Sequence, residues 1–232
     1  ATTKIYTLSL HDALPISERC IGCGNCIKVC SQNAKVFRKE IDKVRELIDS
    51  KQRVAAIVAP SFPAEFSEIK NHRLLVSLIR AQGFRFVSEV SFGADLVAGE
   101  YKKIIQSKRY PPVISSDCPA IVNYIEHYHP DLVGSLANIV SPMVAMTRVM
   151  RRRYGADLKI VFIGPCIAKK DESPEVDAAI TFRELREMIN QTGLKPAEVS
   201  PTEFDPPLGG KGSIFPVRSE EHTSELQSRQ SI

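Results

Sequence analysis

Short apolar runs alternate with stretches of helical periodicity along most of this chain. Val54–Val58 (VAAIV) is continuously apolar and reads as a strand buried on both faces. Phe84–Val90, Val113–Ser115 and Lys159–Ile163 read as three further strands. Residues 64–81, 94–107, 119–128, 140–153 and 181–192 place apolar side chains three and four positions apart, the spacing of a helix with one buried face. Residues 38–53 are charged, yet Ile41, Val44, Leu47 and Ile48 share one helical face. Strands separated by helices predict an α/β fold, a parallel sheet flanked by helices. The most apolar stretch, Leu132–Met146, is interrupted by Ser135, Asn138, Ser141 and Pro142, so no membrane span is expected.

Both ends break the pattern. Thr7–Ile16 (TLSLHDALPI) and Arg218–Ser228 (RSEEHTSELQS) read as translations of short-read sequencing adapters. A signal peptide is the competing reading of the first string, but His11 and Asp12 interrupt its apolar run and no small-residue cleavage site follows. Residues 1–16 and 218–232 are therefore expected to be foreign to the fold, and the natural gene to continue beyond them. Within 17–217, residues 17–50 form a Cys-rich unit with a linker helix. Residues 51–217 form the α/β domain.

Composition adds limits. The 232 residues are 43% apolar and 25% charged, ordinary for one or two globular domains. The net charge of +4 is small and evenly spread, which argues against nucleic acid as a partner. The six cysteines are more telling. Four fall between positions 20 and 30, and the others are Cys118 and Cys166. Such clustering favours a metal site in a reducing compartment over a disulfide framework, so a cytoplasmic location is expected.

Cys20-x2-Cys23-x2-Cys26-x3-Cys30 is the bacterial ferredoxin spacing for a 4Fe–4S cluster. Short gaps let the chain wrap a cubane, and Gly22 and Gly24 permit the tight turns that wrapping needs. A structural zinc knuckle is the alternative, although zinc sites pair two Cys-x2–4-Cys halves across a longer gap. All four thiols serve one cluster, or Cys30 serves a second, as in two-cluster ferredoxins. Further along, Cys118 precedes a helix starting at Pro119, where the helix dipole favours a thiolate. Cys166 follows the Lys159–Ile163 strand, and Pro60 and Ser61 follow Val54–Val58. In open parallel sheets ligands bind beyond the carboxyl ends of strands, so these residues are expected in one pocket. Two buried, inert cysteines are the plainer reading of either thiol alone.

These residues also carry a resemblance. SSDCPA (residues 115–120) resembles the first signature of FeFe hydrogenases, usually Thr-Ser-Cys-Cys-Pro. GPCIAKKDE (residues 164–172) resembles the second, usually Met-Pro-Cys-x-x-Lys-Lys-x-Glu. AIVAPSF, SFGADL and EFDPPLG are similar to other stretches of that catalytic domain, and a ferredoxin unit precedes it. The resemblance spans 17–217 and implies α/β lobes around an H-cluster, a 4Fe–4S cubane bridged by a Cys to a diiron centre with CO and cyanide. It implies Cys118 and Cys166 as cubane ligands, and Pro60, Ser61 and Lys169 around the cyanides. Asp117 stands at the proton-relaying position and Glu172 on a proton path. It further implies a ferredoxin-type electron carrier and H-cluster maturation proteins as partners.

The resemblance is not uniform. Asp117 replaces a Cys, Gly164 replaces a Met that packs on the diiron centre, and Met143 stands where a polar residue is common. The signature carrying the last two H-cluster cysteines does not occur within these residues. These departures keep two rivals: a sensory or electron-transfer member with little turnover, and a cubane-only iron–sulfur assembly protein of the prelamin-recognition-factor-like group. Lys170, His127, His129, Arg148 and Arg151–Arg153 read as solvated surface, and Glu100 as a neighbour of the proton path.

Overall fold

A computed structural model describes residues 5–7, 19–107 and 113–214. A four-stranded parallel sheet carries the core, in the order β4-β3-β5-β6. Its strands are β3 (Val54–Val58), β4 (Phe86–Glu89), β5 (Lys159–Gly164) and β6 (Ala178–Thr181). All of β3 and β6 is buried, as the apolar runs require of strands covered on both faces. Ala55 pairs with Phe86 on one side and with Ile160 on the other.

The helices follow from amphipathic patterning and local caps. They are α1 (Asn25–Lys28), α2 (Ile41–Asp49), α3 (Phe62–Glu65), α4 (His72–Ala81), α5 (Ser91–Gln106), α6 (Pro119–Tyr128), α7 (Pro142–Tyr154) and α8 (Phe182–Thr192). Asn71 caps α4 by accepting from the Arg73 N–H at 3.1 Å. Thr181 and Glu184 form a reciprocal capping box on α8. From β3 the chain moves one way to β4, then back past β3 to β5. Right-handed crossovers in opposite directions put α4 and α5/α7 on opposite faces. The direction reverses between β3 and β5, so the crevice beyond their carboxyl ends is the switch point of a doubly wound sheet. At β4, the edge is covered by residues 203–209, where the Asp205 N–H donates to Val87 O at 2.7 Å.

The observed fold departs from expectation in four places. Val113–Ser115 is not a sheet strand; Ile114 forms one isolated bridge with Leu136. The run is too short to form a ladder by itself. β6 went unread because AAIT is too short for its period to show. Ile5–Thr7, within the stretch read as foreign, forms β1, antiparallel to β2 (Lys35–Phe37). An open edge pairs with any extended backbone regardless of side chains. The C-terminal adapter-like string lies outside the described residues.

Lys170 is the fourth departure. Expected in solvent, its side chain is 1% exposed and pairs at 2.9 Å with Glu184, equally buried. Burial pushes its ammonium below the ordinary lysine range, and the Glu184 carboxylate opposes that shift. Removing one member of such a pair strands a buried charge. Glu184→Ala is therefore expected to lower unfolding free energy by about 3–5 kcal/mol. Urea denaturation checks this, with the midpoint falling at unchanged m.

Candidate iron–sulfur site

Arg19–Ser31 is the Cys-rich loop. Gly22 and Gly24 both have φ of +75°, a backbone that side chains disfavour, and this lets the chain reverse twice within five residues. The Gly22 N–H points at Cys20 Sγ, 3.4 Å away, the donor pattern that stabilises a cluster thiolate. All four cysteines are free thiols. Among the described residues no three His, Cys, Asp or Glu side chains are arranged to hold a single metal ion. A cubane is a wider object than one ion, and four free thiols within eleven residues, with a backbone N–H already aimed at one of them, suit it chemically.

The loop is docked on the sheet domain. The Asn123 amide donates to Ile21 O at 3.3 Å, and the Tyr128 hydroxyl to Arg19 O at 2.9 Å, so α6 holds it from one side. On the other, a Cβ at Gly24 would lie 2.8 Å from Ile167 Cδ1. Cys23 and Cys166 consequently line one cavity of about 730 Å³, with Phe37, Pro165 and Phe182.

At the switch point the Ala59 N–H donates to Ile163 O at 2.8 Å, so Pro60–Ser61 and Pro165–Cys166 leave the sheet side by side. Ser61 starts α3 without using its hydroxyl as a cap. Cys166 precedes a 3-10 turn, Ile167–Asp171, and its thiol is exposed. Cys118, also exposed, is the N-cap residue of α6. No sheet strand leads to Cys118; its loop is held by the isolated Ile114–Leu136 bridge and by side chains. Lys169 Nζ donates to Asp117 O at 2.8 Å and lies 2.6 Å from Glu172 Oε2 as an ion pair without hydrogen-bond alignment. The two signature loops thus meet at Lys169.

Asp117 is held by hydroxyls. Ser115 Oγ donates to its Oδ2 at 3.0 Å, and its Oδ1 is buried without a hydrogen-bond partner. Burial pushes its carboxyl above the ordinary range, opposed by the Ser115 hydroxyl, the Lys169 charge and the Tyr101 hydroxyl. Tyr101 was not anticipated. Its hydroxyl accepts from the Ser116 N–H at 3.0 Å and from Ser115 Oγ at 3.2 Å. Glu100, its neighbour, instead pairs with Lys103 in solvent. Only one face of α5 meets the Cys118 loop, and periodicity does not reveal which partner that face has. Arg151 is another correction: it donates to Asp177 Oδ2 at 2.7 Å and is tied to the sheet edge.

A four-cysteine loop seated against a doubly wound sheet makes this an iron–sulfur protein of the α/β class, and a 4Fe-4S binding domain matches residues 14–36. The chain belongs to the family of the iron only hydrogenase large subunit, C-terminal domain, which matches residues 52–225. Iron hydrogenase 1 of Clostridium pasteurianum is 30% identical over 210 residues, 77% of this chain and 37% of that protein. The cytosolic Fe-S cluster assembly factor NAR1 of Candida dubliniensis is 24% identical over 245 residues, 89% of this chain and 42% of that protein. This chain thus spans less than half the length of either relative. A variant of [FeFe]-hydrogenase HydA1 from Chlamydomonas reinhardtii shares the fold, with a TM-score of 0.61 at 23% identity, over 75% of this chain and 52% of that one.

Proposed function

We propose that the complete protein is an oxidoreductase of the FeFe hydrogenase type, interconverting two protons and two electrons with H2. The observation that carries this reading is Lys169, whose ammonium joins the Cys118 loop to the Cys166 loop and pairs with Glu172. In this reading Cys20, Cys23, Cys26 and Cys30 hold the ferredoxin-type cluster, with Cys118 and Cys166 on the cubane part of the H-cluster. Pro60, Ser61 and Lys169 surround the diiron ligands, a hydroxyl and a cation beside anions. When bound, that cofactor supplies the redox chemistry of hydrogen. Asp117 and Glu172 hold and pass protons at their carboxylate oxygens. A ferredoxin-type carrier delivers electrons, maturation proteins install the diiron centre, and the site of action is the cytoplasm. Residues 17–50 and 51–217 are the two functional units, with adapter-derived strings at 1–16 and 218–232.

One observation favours the cubane-only assembly reading. The Phe162 ring fills the space beside Gly164, so a Met there would overlap it unless Phe162 moved. NAR1-type relatives accord with that reading.

Anaerobic reconstitution of this chain with iron and sulfide is expected to yield a 4Fe–4S cluster. Iron and sulfide analysis with low-temperature EPR of the reduced protein checks it. Stoichiometric zinc with no EPR signal would overturn the assignment of the Cys-rich loop.

A further inference from the structure

Three consecutive residues of the 3-10 turn after Cys166 point at three different parts of the molecule. Lys169 reaches the Cys118 loop. Asp171 Oδ1 accepts from Arg38 at 2.8 Å, just beyond strand β2 of the Cys-rich unit. Lys170, between them, turns inward. Its Nζ donates to Ala179 O at 2.7 Å and to Glu184 Oε1 at 3.0 Å, forms an ion pair with Glu184 Oε2 at 2.9 Å, and lies 5.5 Å from the centre of the Phe37 ring.

The network continues through Glu40. Its backbone N–H donates to Glu184 Oε1 at 2.8 Å, and its Oε2 accepts from the Ala179 N–H at 2.8 Å. Arg38 closes the ring by donating to Glu40 Oε1 at 2.7 Å. Five charged groups therefore meet here: Arg38 and Lys170 against Glu40, Asp171 and Glu184. They belong to the exit of the Cys-rich unit, the Cys166 turn and α8, which are more than 120 residues apart in sequence between the first two. Glu184 also accepts from the Thr181 N–H and hydroxyl, so its oxygens have many donors.

An apolar plug of the same volume would stabilise this junction as well, since buried ion pairs add little net stability. What charges add is geometry, because each pair permits few arrangements. Phe37, gripped by Lys170, lines the same cavity as Cys23 and Cys166. We propose that Lys170, with Glu184, Glu40, Arg38 and Asp171, is a positioning clamp that sets the separation between the Cys-rich loop and the Cys166 turn. The clamp fixes one iron–sulfur site relative to the next. In that last respect it rests on the proposed ligand roles of Cys23 and Cys166.

Two variants open the clamp from different sides. Lys170→Met with Glu184→Gln removes the central Lys170–Glu184 charge pair together and keeps a residue able to complete the capping box. Arg38→Gln releases the half-exposed strut. In the reconstituted chain carrying Cys118→Ser, a nitroxide on Cys166 reports its distance from the reduced cluster through relaxation enhancement. Both variants are expected to weaken that enhancement several-fold while melting cooperatively. Equal enhancement in folded variants would overturn the clamp.

A second measurement requires no cluster. Dibromobimane bridging of Cys23 to Cys166 in the metal-free chain, mapped by mass spectrometry, should fall several-fold relative to Cys20–Cys23 bridging in the same sample. An unchanged ratio overturns the clamp. Should the double variant fail to fold, Arg38→Gln alone decides. Failure of reconstitution bears on the cluster reading, whereas an unchanged bridging ratio bears on the clamp.

Discussion

Expressed with H-cluster maturation proteins, the 232-residue chain is expected to show no infrared bands of iron-bound CO or cyanide, and no H2 turnover. An H-cluster of the family type takes four cysteine ligands, one of which bridges the cubane to the diiron centre. Outside the Cys-rich loop this chain offers two, Cys118 and Cys166. Both thiols are exposed. A cubane held by two thiolates in an open crevice is accessible to solvent and readily lost. Without the bridging thiolate the diiron centre has no covalent tether. The measurement compares this chain with one whose residues 218–232 are replaced by the continuation of the natural gene. Diatomic bands in the shorter chain would refute the prediction. Their absence from the longer one would favour the cubane-only assembly protein.

In that longer protein, Asp117→Cys is expected to raise H2 turnover and Asp117→Ala to lower it. A positioned proton donor or acceptor contributes roughly 10²–10⁴-fold. Asp117 sits directly before Cys118, with Ser115 on one carboxylate oxygen and Lys169 on its carbonyl. Burial raises its pKa, so the folded protein holds this proton to a higher pH than the unfolded chain. The sign follows: the group's contribution to stability is full below the ordinary carboxylate range and is lost as pH rises through the raised value. Asp117→Asn should therefore flatten the pH dependence of stability in that window. In turnover, the carboxylate loses its proton at lower pH than a thiol with a reference value near 8.5, so Asp117→Cys should gain most on the alkaline side. Equal turnover of all variants between about pH 4 and pH 9, a range that takes in the reference values of a carboxylate (about 3.9) and a thiol (about 8.5), would remove Asp117 from the proton route.

The contrast between Lys169 and Lys170 shows how far local pattern reaches. Both belong to one signature, and their sequence surroundings are nearly identical. Their partners, Asp117 and Glu184, are separated from them by 52 and 14 residues, and nothing within a helical turn reveals which lysine turns inward. Thr181 and Glu184 cap α8 across three residues, yet the same carboxylate also receives a buried ammonium from outside that helix, which the helical pattern over 181–192 does not show. Tyr101 is comparable: its helix was legible, its grip on Ser115 and Ser116 was not.

By itself the sequence determined the α/β class, strands β3 and β5, the extents of α6 and α8 to within a residue or two, and the iron–sulfur chemistry of the Cys-rich loop. These are features encoded within a few residues: apolar period, caps and cysteine spacing. Only the tertiary structure decided that the Cys118 loop is tied to the Cys166 turn through Lys169, that Cys23 and Cys166 share a cavity, and that five charges bind the Cys-rich unit to the Cys166 turn. Those outcomes depend on which surfaces meet once the chain has reversed direction between β3 and β5, and the free energy of such meetings is a property of pairs distant in sequence.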